Sequence, residues 1–230
     1  MRPHQIQAAQ FLLARLQGRG PAATSAFGVM DDQHMPSTAV PTAATAAAAV
    51  PLAGAGALAL PVTGAILADE MGLGKSLTAL AVVWAFVRGG HRKAVIVCPS
   101  GLVPNWKAEL QRWIPTLARK TLFVTAANRN KHLLEFVNAA AELVPLLVIS
   151  YDLFRTSANA LNSMTNWELL VCDEGHRLKN SSHTLTSLAL TNCAAMRRLV
   201  LTGTPIQNNL DELYSLVSFA CPGYLGSLAE

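Results

Sequence analysis

The sequence predicts an α/β domain built on a parallel sheet with helices on both faces. Three observations carry that reading. From residue 64 onward, short apolar runs alternate with helical stretches, the pattern of chained βαβ units. The runs are apolar throughout rather than at every second residue, as strands covered on both faces must be. A glycine-rich loop, Gly72-Leu73-Gly74-Lys75-Ser76, joins the first run to the first long helix.

Residues 5–17 read as an amphipathic helix, with Ile6, Ala9, Leu13 and Leu16 at helical spacing and Gly18-Arg19-Gly20-Pro21 as the stop. The composition then changes. Ala, Thr, Pro and Gly dominate residues 21–61, and no Lys or Arg occurs between Arg19 and Lys75. This is the composition of a low-complexity insertion in a surface loop. Within it, Gly54-Ala55-Gly56-Ala57-Leu58-Ala59 imitates a dinucleotide-binding fingerprint, but no strand precedes it and Pro51 and Pro61 bracket it. An Ala/Gly-rich stretch produces such matches by chance. Beyond Pro61, strands are expected at 64–68, 94–98, 121–125, 146–150, 169–172 and 199–202. Helices are expected at 75–88, 104–113, 131–141, 184–191 and 211–219. Ligands of such sheets bind at the carboxyl ends of the strands, where every motif discussed next falls.

The 230 residues are 51% hydrophobic and 14% charged, with a formal net charge of +4, a mild bias toward a polyanionic partner. None of the four cysteines forms a Cys-x-x-Cys pair, which argues against a zinc site. Cys98 and Cys172 each end an apolar run and read as buried reduced thiols, compatible with a cytosolic or nuclear compartment. The start of the chain lacks the apolar segment of a signal peptide. The uncharged stretch 39–68 is interrupted by Pro41, Pro51 and Pro61 and is too poor in large apolar residues to span a membrane.

Asp69-Glu70-Met71-Gly72-Leu73-Gly74-Lys75-Ser76 has the form of a phosphate cradle. Gly72 and Gly74 let the backbone approach phosphates, and the helix start offers free N–H groups and a positive dipole end. Lys75 is placed to reach the β- and γ-phosphates and Ser76 to ligate Mg²⁺. The string departs from the general phosphate-loop pattern in having Asp69 where the first glycine is expected. Farther on, Leu169-Leu170-Val171-Cys172 ends in Asp173-Glu174-Gly175-His176. Asp173 is placed to hold the Mg²⁺ shell beside Ser76, and Glu174 to orient or deprotonate the attacking water. A guanine-specific hydrolase would need Asn-Lys-x-Asp, and Asn130-Lys131-His132-Leu133 lacks the Asp.

These motifs, followed by Leu201-Thr202-Gly203-Thr204-Pro205-Ile206-Gln207-Asn208, resemble superfamily-two helicase motors. The longer strings, residues 69–76, 173–180 and 201–208, resemble the SWI/SNF family of DNA translocases. Its Rad-fifty-four recombination-repair branch is similar through Arg2-Pro3-His4-Gln5, the residues from Cys98 to Trp106, Ile149-Ser150-Tyr151 and Gly223-Tyr224-Leu225-Gly226. The resemblance implies a RecA-like P-loop NTPase lobe that binds ATP and Mg²⁺ and acts on double-stranded DNA in the nucleus, with a recombinase filament or nucleosomes as further partners. It implies that Gln5 reads adenine with Arg2 and His4 nearby, and that Asp69, Gly72, Leu73, Gly74, Lys75 and Ser76 bind the nucleotide. Lys75, Asp173 and Glu174 are then catalytic, with Ser76 and Asp173 on Mg²⁺. His176, Thr202, Gly203 and Thr204 couple hydrolysis to DNA grip, and Ser100, Lys179 and Asn180 contact the DNA backbone. Plainer readings stand beside these: a surface glutamine, a strand-end threonine, a solvated lysine.

Two rivals remain at the level of sequence: a nucleosome-remodelling ATPase of the same family, and a non-catalytic module that binds ATP or DNA. In the resembled family a second lobe supplies an arginine finger. No arginine here belongs to such a motif, so the chain reads as the first lobe, residues 1–230, with the second expected beyond Glu230. Deleting residues 22–60 should leave the melting temperature within a few degrees of the intact chain, because closure entropy changes only slowly with loop length. A large drop would show that the stretch packs against the domain.

Overall fold

The computed structural model describes residues 1–17, 63–70, 72–88, 92–164, 167–178, 185–203 and 210–225. The expected insertion at 21–61, the Gly54–Ala59 string, and the candidate site residues Lys179, Asn180 and Thr204 lie outside them.

Among the described residues, six strands form one wholly parallel sheet: β1 (Thr63–Leu67), β2 (Lys93–Cys98), β3 (Thr121–Phe123), β4 (Leu146–Ser150), β5 (Trp167–Cys172) and β6 (Arg197–Leu201). Their order across the sheet is β1-β6-β5-β2-β4-β3. The helices are α1 (Pro3–Leu16), α2 (Lys75–Val87), α3 (Val103–Trp113), α4 (Pro115–Ala118), α5 (Arg129–Asn138), α6 (Tyr151–Asn162), α7 (Leu185–Thr191) and α8 (Leu210–Ala220). Alternate strand residues feed two separate apolar layers. Ala94, Ile96, Leu146, Val148, Leu169 and Val171 pack with α1 to α4. Val95, Val97, Leu147, Ile149, Leu170 and Cys172 pack with α5 to α8. Every strand residue of β2 and β4 is buried, as double coverage requires. Burial pushes the Cys98 thiol up to about 12, and all four cysteines are free.

The structure departs from the sequence reading in particulars. The helix α6 is an addition. Ser150 caps it by accepting from the Leu153 N–H, and Tyr151, Phe154, Ala158 and Leu161 form its buried face. In α1 the buried residues are Gln5, Leu12 and Leu16, so Ile6 is turned outward and its place is taken by Gln5. The strand β5 starts two residues earlier than expected. Lys93 faces Trp167 and Ala94 faces Leu169, leaving Glu168 as the extra residue of a bulge. No described helix is long and apolar enough to cross a membrane.

Helix carboxyl ends collect on the edge where the strands begin, and basic residues at the strand starts meet them. Lys93 is fully buried, and its ammonium donates to the carbonyls of Phe136 and Ala139 at the end of α5. Burial lowers its pKa, with Glu142 opposing. Arg198 donates to Phe219 O and Thr191 O, both at 2.8 Å, closing α8 and α7 together while lying 4.9 Å from the Phe219 ring centre. Arg197 donates to Leu16 O at 2.8 Å, closing α1, and pairs with Glu168. Cations at helix carboxyl ends answer both the unpaired carbonyls and the negative dipole end.

Arg198→Met keeps most of the side-chain volume but strands one buried and one half-buried carbonyl. It should cost about 2–6 kcal/mol, from roughly 1–3 kcal/mol for each of the two carbonyls, read as a lower denaturant midpoint at unchanged slope.

Candidate nucleotide site

The opposite edge of the sheet holds the chemistry, and the strand order explains how. β1 and β5 flank β6, so the loop after β1 and the acidic pair after β5 face each other across the end of β6. Thr202, at that end, is buried, and its N–H donates to Leu67 O at 3.0 Å, tying β6 to the start of the loop.

The loop turns into α2 through Gly72 at φ 86° and Gly74 at φ 82°, both left-handed, with Gly74 as the helix N-cap. Only glycine adopts that conformation without strain. Lys75 folds back over the loop and donates to Asp69 O at 2.7 Å and Glu70 O at 2.9 Å. Gln5 closes the loop from the side. Its amide donates to Leu73 O at 3.0 Å, its Oε1 accepts the Arg2 N–H at 2.8 Å, and it lies where a Cβ on Gly74 would fall. His4 is exposed on the same turn of α1. A cavity of about 550 Å³ opens here, lined among others by Arg2, Gln5, Gly72, Gly74, Ser76 and Trp113.

Asp173 is only 9% exposed at the end of β5. One carboxylate oxygen accepts the Trp106 indole N–H at 2.9 Å and the other accepts the Glu174 N–H at 2.9 Å. Its own N–H donates to Val97 O at 2.8 Å, and its carbonyl accepts the Tyr151 hydroxyl at 2.6 Å. Desolvation raises its pKa, against which the Trp106 bond and the nearby Lys75 charge act. Glu174 stands at φ 54°, the one non-glycine residue with positive φ among those described. Backbone strain of this kind collects at functional sites. The turn carries its carboxylate to 3.2 Å from His176 Nδ1, at ion-pair distance but without hydrogen-bond alignment.

Of the candidate site residues, Gln5, Arg2, Gly72, Leu73, Gly74 and Ser76 line or close one cavity, and Lys75 lies within electrostatic reach of Asp173. Glu174, His176, Thr202 and Gly203 lie on the segments that follow β5 and β6. Ser100 is separate from the cavity, exposed at the start of the 3₁₀ turn Ser100–Leu102 that leads into α3. Sequence reasoning missed Trp106 and Tyr151 as supports of Asp173. Both belong to strings already singled out after β2 and β4, and that was the available signal.

A profile described as the SNF2-related domain matches residues 4–230. The chain belongs to the SNF2-related domain family. It is 44% identical over 172 residues to the DNA repair and recombination protein RAD54B of Gallus gallus, covering 72% of this chain and 18% of the relative. It is 36% identical over 250 residues to the DNA repair and recombination protein RAD54 of Saccharomyces cerevisiae, covering 100% of this chain and 27% of the relative. A solved structure, the Sulfolobus solfataricus SWI2/SNF2 ATPase core in complex with dsDNA, is similar with a TM-score of 0.60 and 30% identity, over 73% of this chain and 33% of that one. This SNF2-related domain therefore spans 18 and 27% of the length of these two curated relatives. Its parallel sheet is the RecA-like one expected from the motifs.

Gly175 packs so closely on β6 that a Cβ would overlap the Val200 methyl. Gly175→Ala should therefore cost about 1–3 kcal/mol, the range for overpacking a tight site. Thermal unfolding of the purified chain checks it, and an unchanged midpoint would show that the Glu174 turn has room to move.

Proposed function

We propose that the chain is the nucleotide-binding lobe, residues 1–230 with 21–61 inserted, of an ATP-dependent motor. The motor moves along double-stranded DNA in homologous-recombination repair, in the nucleus. The observation that supports this best is the facing of Lys75 and the Asp173–Glu174 pair across the end of β6. The chain's relatives are named for DNA repair and recombination, and its structural neighbour is a DNA-bound ATPase core.

The donor set fits Mg²⁺, which is typically held by one or two carboxylates plus substrate phosphates rather than by an all-protein cage. Among the described residues no three ligating side chains cluster, while each oxygen of Asp173 accepts one bond and keeps further lone pairs. Ser76 and Asp173 would hold the ion. When bound, it neutralises charge on the β- and γ-phosphates.

Lys75 exchanges the Asp69 and Glu70 carbonyls for phosphate oxygens as ATP enters. The backbone N–H groups from Gly72 to Ser76 cradle the phosphates at the positive end of α2. Gln5, beside Arg2 and His4, turns its amide from Leu73 to the adenine edge. Glu174 holds the attacking water and takes up its proton, with His176 beside it to pass the change toward Thr202, Gly203 and Thr204. Ser100, Lys179 and Asn180 grip the DNA backbone without reading sequence. The charge that develops on the γ-phosphate calls for an arginine finger from a second lobe, whose loss costs roughly 10³–10⁵ in rate.

In protein carrying both lobes, hydrolysis should rise with duplex DNA, and the rise should shrink with salt as counterion release predicts. Indifference to duplex would remove the DNA part of the proposal. Lys75→Ala should abolish hydrolysis. Glu174→Gln should keep ATP binding and slow turnover by at least about a hundredfold. Equal loss of binding and turnover would give Glu174 a structural role instead.

A further inference from the structure

We propose that Trp106 is a positioning residue for the metal carboxylate, its indole N–H fixing the plane in which Asp173 presents its remaining lone pairs. The proposal rests on the assignment of Asp173 to Mg²⁺ made above.

A carboxylate at a strand end can still rotate about its terminal bond. Two donors, one to each oxygen, remove that freedom. One donor is local, the N–H of Glu174, and it belongs to the strained turn that hydrolysis would use. The other comes from 67 residues away, from Trp106 near the start of α3, at 2.9 Å and wholly buried. Trp106 itself is 2% exposed in the apolar layer shared by α1 to α4. Its only polar atom is a donor with a single hydrogen, and that hydrogen is spent on Asp173. An apolar ring system of the same shape would satisfy the packing without the nitrogen, so the N–H is the part of Trp106 that bears on Asp173. The backbone of the same residue is held separately, by the Tyr151 hydroxyl on Asp173 O. The carboxylate plane thus inherits the rigidity of the core through one bond, as outer-shell partners of metal ligands do elsewhere.

The test is the ratio of ATP dissociation constants without and with saturating Mg²⁺, measured on the 230-residue chain with a ribose-labelled fluorescent ATP. Trp106→Phe should shrink this ratio about tenfold or more, since losing an outer-shell partner costs roughly 10–100-fold in metal affinity. The EDTA value should stay within about twofold. Benzothienylalanine placed at position 106 keeps the indole shape and puts sulfur where the N–H stands. It should give the same loss while the chain stays folded, with a melting temperature only a few degrees lower for the Asp173 oxygen left without its donor, which covers the case in which Trp106→Phe folds badly. In an Asp173→Ala background, either change should leave the ratio as it is. A benzothienylalanine variant with the full Mg²⁺ ratio would overturn the proposal and leave Trp106 a packing residue. A chain that binds no ATP in EDTA or Mg²⁺ would instead overturn the nucleotide reading on which it rests.

Discussion

A wholly parallel sheet sorts its own charges, and the rest of this molecule follows from that. Every strand ends on one edge, and every helix that crosses back ends on the other. The edge of helix carboxyl ends is electrically negative. Here it draws in Lys93, Arg197 and Arg198, which sit at strand starts with their charged ends on helix-terminal carbonyls. The edge of helix amino ends is positive and suits anions. On it stand the loop before α2 and the desolvated carboxylate of Asp173. Exchanging the two groups of residues would leave buried charges of the wrong sign on both sides, so the position of the site is decided before any of its residues is chosen.

The six strands were legible because a doubly covered strand has no alternation to hide behind: runs such as 94–98 and 146–149 are apolar at every position. The helix α6 was not. Asn, Ser and Thr make up a third of its length, residues that are poor helix formers and favour caps and turns. Its buried positions at 151, 154, 158 and 161 keep helical spacing through that noise. The outward turn of Ile6 had a different cause. Gln5 occupies the inner face because its amide is held by the loop 68 residues on, a contact that local periodicity does not register.

The loop and the acidic pair could be read from the chain because each is a short string whose residue types carry their own chemistry. Their supports could not. Trp106 and Tyr151 reach Asp173 only because β2 lies beside β5 and β4 beside β2, and a strand order that departs so far from sequence order is not written in any local pattern. The bulge at Glu168 belongs to the same class. It becomes visible when Lys93 and Ala94 are set against Trp167 and Leu169, and it gives Arg197 and Arg92 their carboxylate.

The carbonyl of Leu16 accepts from two places at once, the Thr63 hydroxyl at 3.3 Å and the Arg197 side chain at 2.8 Å. The last turn of α1 and the first residue of β1 are therefore fastened to each other and to β6 at one point. Whatever sequence lies between Gln17 and Thr63 begins and ends at that fastening, so the two chain ends it joins keep their place beside β6 and the loop before α2. The same mouth is a natural port for engineering, where a reporter domain grafted between residues 17 and 63 would hang from a closed stem instead of prying two core elements apart.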